Sequence, residues 1–504
     1  MKSRTVCLHL SVKKNETLRF CHALLSYGTH RCRAMANFVM SLASSPLVTH
    51  PVELAASPFC HYHYSNLTKV LEDWEIDKSN FRGLIREFLP PPRFLDSGIG
   101  YYALTHDVTK MLKAHSPCLK DRQYVPTSNN VIASNRALGV GYPVSVLHFG
   151  AGEGGWCPPL ALQRLGPQDD ANAVAVEQIV SLLRDKTLPF AEHLCLLRAD
   201  ASYGKAIFLA PLYDLNDLVL IARLRAGMKV WAKAPNAGPT GGASRVFGDK
   251  FYLTDASQWK TYHKKGVAYQ VWQESLCEQG PDEHLEKQTA LANGRTVIID
   301  IRRWNDLLMR TKQGASMKDK PLDVLRVQVL DAQTRQPVFD RPLFLAVSGK
   351  RKNLVDSALV QEQYRERYDV ETYYRFAKNN LLMDKLQTPV VEHLDNWLHM
   401  VQIASWLLFT AREEIGQVSC PVWQKYLPKN KTAQDNPLQP LTIAQTQRAA
   451  HLLFSTFDQG PFLPLKCKKG KGRQKGRTFP QRTRFIVVKK TKKSVRKLKN
   501  QQNE

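Results

Sequence analysis

The order of elements that can be read between residues 100 and 225 limits this chain more than any other feature. GYYALTHDV (100–108) is a short run of aromatic and β-branched residues that reaches an acid, and LGVGYPVSVLHFGAG (138–152) reads as a second strand. DDANAVAVEQIVSLLRD (169–185) places Val176, Ile179, Val180 and Leu183 on one face, which predicts an amphipathic helix. HLCLLRADASYG (193–204) is an apolar strand that runs into an acid and a Gly-containing turn. A helix around KAIFLAPLYDL and the strand DLVLIARLR (217–225) follow. Strands, a helix, then strand–helix–strand is the order of a mixed α/β sheet with helices on its faces.

The flanking segments differ in texture. Residues 1–95 read as helical, through ETLRFCHALLSYGTHRCRAMANFVMSLASS and SNLTKVLEDWEI, until LPPPRF (89–94) breaks the chain. Residues 228–350 open on a Gly-rich polar loop and continue as short β-like runs, which predicts a mostly β insertion. Helical periodicity returns from 351 to 415, and 416–465 mixes helix with loop. Residues 466–504 carry 16 Lys and Arg against one acid, few apolar groups, and an expectation of disorder in the absence of an acidic partner. The expected units are therefore 1–95, 96–227, 228–350, 351–415, 416–465 and the tail.

Charge narrows the partners. The net charge is +26, and about +11 of it lies ahead of the tail, so both parts favour polyanions. No apolar run approaches the roughly 18 residues that span a bilayer, and the opening MKSRTVCLHLSVKKNETLRF lacks a signal-peptide core, which points to an intracellular protein. Ten scattered cysteines form no CxxC pair and read as reduced and structural. CHYH (60–63) has no distant partner pair and reads as a turn rather than a zinc site.

Two acids, Asp107 and Asp200, end apolar stretches of the same expected sheet. An acid in that position often serves only as a turn former or cap. A third feature gives the pair a context. YRERYDVETYYRFAK (364–378) has no Gly or Pro and predicts one helix. At about 100° per residue, Tyr364, Arg367, Glu371 and Lys378 fall within about 60° of one another, while Glu366 and Asp369 point away. The plain reading is a surface helix laced with ion pairs. The other is a carboxylate that joins Asp107 and Asp200 around divalent cations, with neighbouring cations on phosphates. Three carboxylates brought together repel unless cations lie among them, and hard divalent ions select carboxylate oxygen.

The spacing Tyr364-x2-Arg367-x3-Glu371-x6-Lys378 resembles the Tyr-Arg-Glu-Lys signature of prokaryotic insertion-sequence transposases of the DDE class. RADASYG followed by LVLIARLR resembles that family's second-Asp block, and LTHDVT its first-Asp strand. The resemblance spans roughly 100–390. It implies an RNase H-like mixed sheet with flanking helices, interrupted by the β insertion and preceded by a helical DNA-end-binding part.

It also implies a catalytic and metal-binding set of Asp107, Asp200 and Glu371 holding two Mg²⁺, with Mn²⁺ as a substitute. Tyr364, Arg367 and Lys378 would contact DNA phosphates, while Arg223 would hold phosphate or cap its strand. The partners implied are double-stranded DNA, at terminal inverted repeats and target, and a second copy in the synaptic complex, without a membrane. The location implied is the prokaryotic cytoplasm, at the nucleoid when DNA is bound.

Asp300 in TVIIDIRRW also ends an apolar run and competes with Asp200 as second acid. Trp231, Trp259, Trp272 and Trp304 are candidates to receive a flipped base, the ordinary role of each being a core residue. A metal-dependent nuclease without strand transfer, or an inactive DNA-binding remnant, would carry much of the same sequence.

Overall fold

Four helices form the N-terminal quarter: α1 (Glu16–Leu24), α2 (Cys32–Ser44), α3 (Tyr64–Asp73) and α4 (Lys78–Phe88). The computed structural model describes residues 15–26, 28, 30–74, 78–127, 138–152, 154–235, 245–264, 266–291, 294–311, 316–417, 441–457, 476 and 481–489. The periodicity of residues 16–45 yields two helices rather than one, because Arg31 enters the left-handed region at φ 55° immediately before α2.

The strands follow as β1 (Arg93–Phe94), β2 (Gly100–Leu112), β3 (Gln123–Pro126), β4 (Leu138–Gly150) and β5 (Pro159–Arg164). Next come α5 (Ala171–Leu183), β6 (Leu194–Ala199), α6 (Ala206–Tyr213) and β7 (Leu218–Leu224). Then come β8 (Lys229–Lys233), β9 (Phe247–Tyr252), β10 (Gln258–Lys264), β11 (Val267–Gln273), β12 (Glu283–Ala290), β13 (Thr296–Leu307), β14 (Leu322–Asp331) and β15 (Leu343–Ser348). The helices α7 (Ser357–Glu366), α8 (Asp369–Asn379), α9 (Val391–Gln417) and α10 (Ile443–Phe454) complete the ten described.

One mixed sheet organises these elements, in the order β12-β13-β14-β15-β7-β6-β2-β4-β3, with β5 also on β4 and β1 on β2. β2 runs parallel to β6 and β6 to β7, while β4 lies antiparallel to β2. β6 is buried along its whole length, as a central parallel strand covered on both faces must be. Side-chain alternation divides β2 between two apolar clusters. Tyr101 and Ala103 meet Val360 and Tyr364 of α7, whereas Tyr102 and Leu104 face the cluster that holds α5, α6, α9 and the N-terminal helices. No helix among the described residues is long and apolar enough to cross a membrane.

The segment between β7 and α7 splits. β8–β9 and β10–β11 are separate two-stranded ribbons, but β12–β15 continue the main sheet through the antiparallel pairing of β15 with β7. A buried ion cluster supports this extension. Asp323, fully buried on β14, accepts from Arg303 Nη2 at 2.6 Å and from Lys352 Nζ, and Lys352 also meets Asp306 at 2.9 Å.

At the other edge, the expectation of a disordered tail fails for residues 481–489. Val488 N donates to Arg122 O at 2.7 Å and Phe485 N to Pro117 O at 3.0 Å, so this stretch lies beside β3. The run Phe485–Val488 is the apolar part of the cationic tail.

Removing one partner of a buried charge cluster leaves the others desolvated and unpaired. Asp323→Ala should therefore cost about 3–5 kcal/mol. A urea unfolding series would read this as a midpoint shift, and a variant that unfolds with wild type would show the cluster to be energetically neutral.

Candidate active site

The sheet register brings two acids together. His106 pairs with Ala199 at the end of the β2–β6 ladder, so Asp107 and Asp200 follow at the same level on neighbouring strands, about 4.8 Å apart between backbones. By alternation both share the face of Tyr101, Ala103, Leu194 and Leu196, the face that α7 covers. Arg223, two residues beyond Ile221 on β7, is exposed on the same face.

The turn after β6 fixes Asp200. Its Oδ1 accepts from Ser202 N at 2.8 Å and from the Ser202 hydroxyl. A Cβ at Gly204 would lie 2.2 Å from Arg223 O, so only glycine lets the turn rest on β7.

Glu371 lies in the first turn of α8, but the helix expected over 364–378 is two helices. Arg367 and Tyr368 separate α7 from α8. The bonds Arg367 N to Tyr364 O, Tyr368 N to Arg365 O, Val370 N to Arg367 O and Glu371 N to Tyr368 O span three residues rather than four. That tighter winding changes the rotation from one helix to the next and breaks the expected stripe.

Tyr364 accordingly lies in the core at 1% exposure, which corrects its expected place on phosphates. Arg367, also buried, stacks its guanidinium 5.6 Å from the Tyr364 ring and 5.3 Å from that of Tyr368. It reaches Glu371 at 3.6 Å, whose side chain is 57% exposed. Lys378, in the last turn of α8, is half-buried with its ammonium 5.9 Å from the Tyr374 ring.

Contacts that sequence reading missed hold these helices in place. Arg198, buried in β6, donates from Nη1 to Glu366 Oε2 at 2.8 Å and from Nε to Thr105 Oγ1 at 2.9 Å. Arg93 grips the same carboxylate with two bonds of 2.9 and 3.0 Å. The available signal was an arginine inside the apolar run LCLLRA, since a buried guanidinium demands a carboxylate. α8 is fixed further by His148 Nε2 with Tyr374 Oη at 3.0 Å and by Tyr373 Oη with Ser405 Oγ at 2.9 Å. Burial depresses His148 to about 3 and His106 to about 4, so both rings are neutral at physiological pH.

Burial also lifts Asp107, to about 6. The Arg367 charge opposes that rise, and the charges of Asp200 and Glu371 add to it. Among the described residues, no Lys, Arg or His nitrogen lies within 4.0 Å of Asp107 or Asp200. Two adjacent carboxylates without an ion-pair partner fit a divalent cation.

Asp300 does not join them. It lies on β13, five strand spacings or about 24 Å from β2. There it already bonds His284 Nε2 at 2.6 Å and Arg326 at 3.1 Å, with the Arg302 guanidinium at ion-pair distance, 3.4 Å. Ligand atoms of His284, Glu286 and Asp300 do lie within 4.8 Å of one another, a second acidic group able to meet a metal. Among the described residues His61 and His63 join no metal-binding group, and the His63 side chain caps α3 by accepting from Ser65 N.

The four tryptophans divide. Trp304 is core and donates to Gln279 O at 3.1 Å, and Trp231 on β8 is half-exposed. Trp259 and Trp272 are cross-strand partners on the β10–β11 ribbon, 63% and 47% exposed.

Residues 29–282, half of the chain, match the family model described as DDE superfamily endonuclease, and the protein belongs to that family. The match takes in Asp107 and Asp200, begins within the N-terminal helices, and ends before Glu371. Among curated proteins nothing matches the chain. Enzymes of this family are generally dependent on divalent metal and act on DNA, in keeping with the large mixed α/β sheet and the acids on it.

The raised Asp107 carries a cost with a definite sign. Its carboxyl holds a proton in the folded state up to about pH 6 but loses it near 4 when unfolded. Stability is therefore fully present below about pH 4 and falls as pH rises to 6. Asp107→Asn should raise stability by roughly 3 kcal/mol at neutral pH in metal-free buffer. Denaturant unfolding across pH should show that gain vanish below about pH 4, and a constant difference would refute the assignment.

Proposed function

We propose that the protein is the DNA transposase of an insertion sequence, which binds terminal inverted repeats, cleaves at the transposon end and joins the 3′-hydroxyl to target DNA. The observation that carries this reading is the pairing of Asp107 with Asp200 on one face, unneutralised, with the Glu371 charge acting on Asp107. In this reading the catalytic core is RNase H-like, and residues 228–350 are an insertion within it.

Asp107, Asp200 and Glu371 would hold two Mg²⁺ ions, or Mn²⁺. When bound, such ions activate an attacking oxygen and stabilise the leaving oxygen of a phosphodiester. The protein's own groups do the rest. Neutral His106 lies behind Asp107 and bonds Ser145 Oγ at 3.0 Å and Gln178 Oε1 at 3.2 Å, which keeps a second positive charge out of the acid site. Arg367, locked between two tyrosine rings, presents a fixed cation toward the acids, where a scissile phosphate would lie. Arg223 and Lys378 flank that position from β7 and α8 and would hold adjacent phosphates. Tyr364 serves this arrangement from below, by supporting Arg367. A second copy would be needed to hold both transposon ends at once.

Purified protein incubated with DNA spanning the gene's own flanks, with Mg²⁺ or with EDTA, tests the proposal. Cuts at inverted repeats should require Mg²⁺ and drop by at least about a thousandfold in Glu371→Gln, while DNA binding survives. Mg²⁺ should also raise the unfolding temperature of wild type and leave that of Asp107→Asn/Asp200→Asn unchanged. Cuts without joining of the free end to a second DNA would reduce the function to that of a nuclease, and cuts that persist in Glu371→Gln would remove Glu371 from the site.

A further inference from the structure

Lys205, which follows the turn that carries Asp200, lines a groove of about 710 Å³. Four cations line it: Lys205 at the start of α6, Lys229 on β8, Lys250 on β9 and Arg310 after β13. No acid lines it. All four cations are exposed, and none has a carboxylate within 4.0 Å among the described residues.

The β8–β9 ribbon explains their arrangement. Lys229 pairs across the ribbon with Tyr252, and Trp231 with Lys250. Alternation puts all four side chains on one face, with Lys229 and Lys250 exposed, Trp231 half-exposed and the Tyr252 ring buried. The Lys229 and Lys250 ammonium groups lie 5.0 and 5.2 Å from the centroid of the same Tyr252 ring. The opposite face, through Val230 and Phe251, is buried. Trp231 and Leu308 exchange backbone hydrogen bonds of 2.9 and 2.7 Å, which fastens the ribbon beside Arg310.

Two ammonium groups sharing one ring without an ion-pair partner repel each other in the free protein and are relieved by an anion. Clustered cations without acids suit a chain of phosphates.

We propose that this groove binds the DNA backbone and leads it to Asp200, with Lys205, Lys229, Lys250 and Arg310 on successive phosphates. This rests on the transposase reading, because it names the path by which that substrate reaches the acids. A second copy of the chain offering an acidic face is the competing occupant.

The test uses full-length protein in three forms: wild type, Lys229→Gln/Lys250→Gln, and Lys186→Gln/Lys287→Gln as a charge-matched control on exposed sites outside the groove. Binding of a labelled 30-base-pair duplex is followed by fluorescence anisotropy across salt concentrations, and unfolding temperatures confirm that all three fold alike. Loss of two phosphate contacts should lower the slope of log affinity against log salt by about 1.8 and weaken binding at least about tenfold in low salt. The control should keep the wild-type slope.

Equal slopes in all three proteins would overturn the groove, as would a wild type that does not bind the duplex. A groove variant that loses self-association but keeps its DNA slope would assign the surface to a second copy. A groove-dependent slope in a wild type that never cuts DNA would retain the groove and overturn the transposase reading. Cutting with a slope indifferent to Lys229 and Lys250 would do the reverse.

Discussion

The contact between Arg198 and Glu366 joins the three segments on which the site depends. Arg198 stands two residues before Asp200 on β6, and its Nε bonds Thr105, two residues before Asp107 on β2. Its Nη1 reaches Glu366, the last residue of α7, one position before Arg367 and five before Glu371. Both side chains are largely withdrawn from water, and a lone charge there would cost several kcal/mol, so neither is stable without the other. Arg93 adds a second guanidinium to the same carboxylate. Backbone space is shaped to it as well: a Cβ at Gly150 would lie 1.9 Å from Arg198 Nη2. The placement of α7 on the sheet is thus set by charge pairing as well as by the apolar contacts of Val360 and Tyr364.

That constraint accounts for how much of the site could be read in advance. Asp107 and Asp200 were legible because each follows a short apolar run whose sheet partner can be inferred, and a parallel register then places them side by side. The order strand, strand, helix, strand, helix, strand was legible for the same reason. The expectation for Glu371 rests on its spacing from Tyr364, Arg367 and Lys378, and to it the structure adds the Glu371 charge acting on Asp107. The break between α7 and α8 was not, since residues 366–369 contain neither Gly nor Pro and the change from four-residue to three-residue bonding leaves no mark in composition. Tyr364 was misplaced as a consequence: a projection that assumes one regular helix carries the error of the break to every residue on the far side. The pairing of Arg198 with Glu366 spans 168 positions and has no local signal beyond an arginine in an apolar strand.

Residues 283–348 show a different limit. β13, β14 and β15 were legible one by one and the polar β12 was not, but nothing in a strand's alternation says which edge it will join. β15 pairs with β7 because β7 ends the parallel set with an open edge, and β14, β13 and β12 then follow by antiparallel pairing of successive strands. The apolar run Phe485–Val488 in the tail behaves similarly. Its partner, the edge at β3, exists only once the sheet has formed.

What separates Asp107 and Asp200 from the other buried acids of the α7 side and the sheet extension is the company they keep. Glu366 is held by Arg93 and Arg198, Asp323 by Arg303 and Lys352, and Asp300 by Arg326, Arg302 and His284. In each case the fold supplies its own cation, and the carboxylate is structurally committed. Asp107 and Asp200 lie in a chain of net charge +26 with no such partner, while Arg367 stops short of an ion pair with either. Leaving them so raises Asp107 to about 6 and costs stability in the free protein. The same unpaired lone pairs are what a divalent cation requires, because a guanidinium already bonded there would have to be displaced first. The lysines of the β8–β9 ribbon present the complementary case, cations without carboxylates beside acids without cations. A metal-loaded acid pair and a phosphate chain would satisfy both sets at once, which a partner of either charge alone would not.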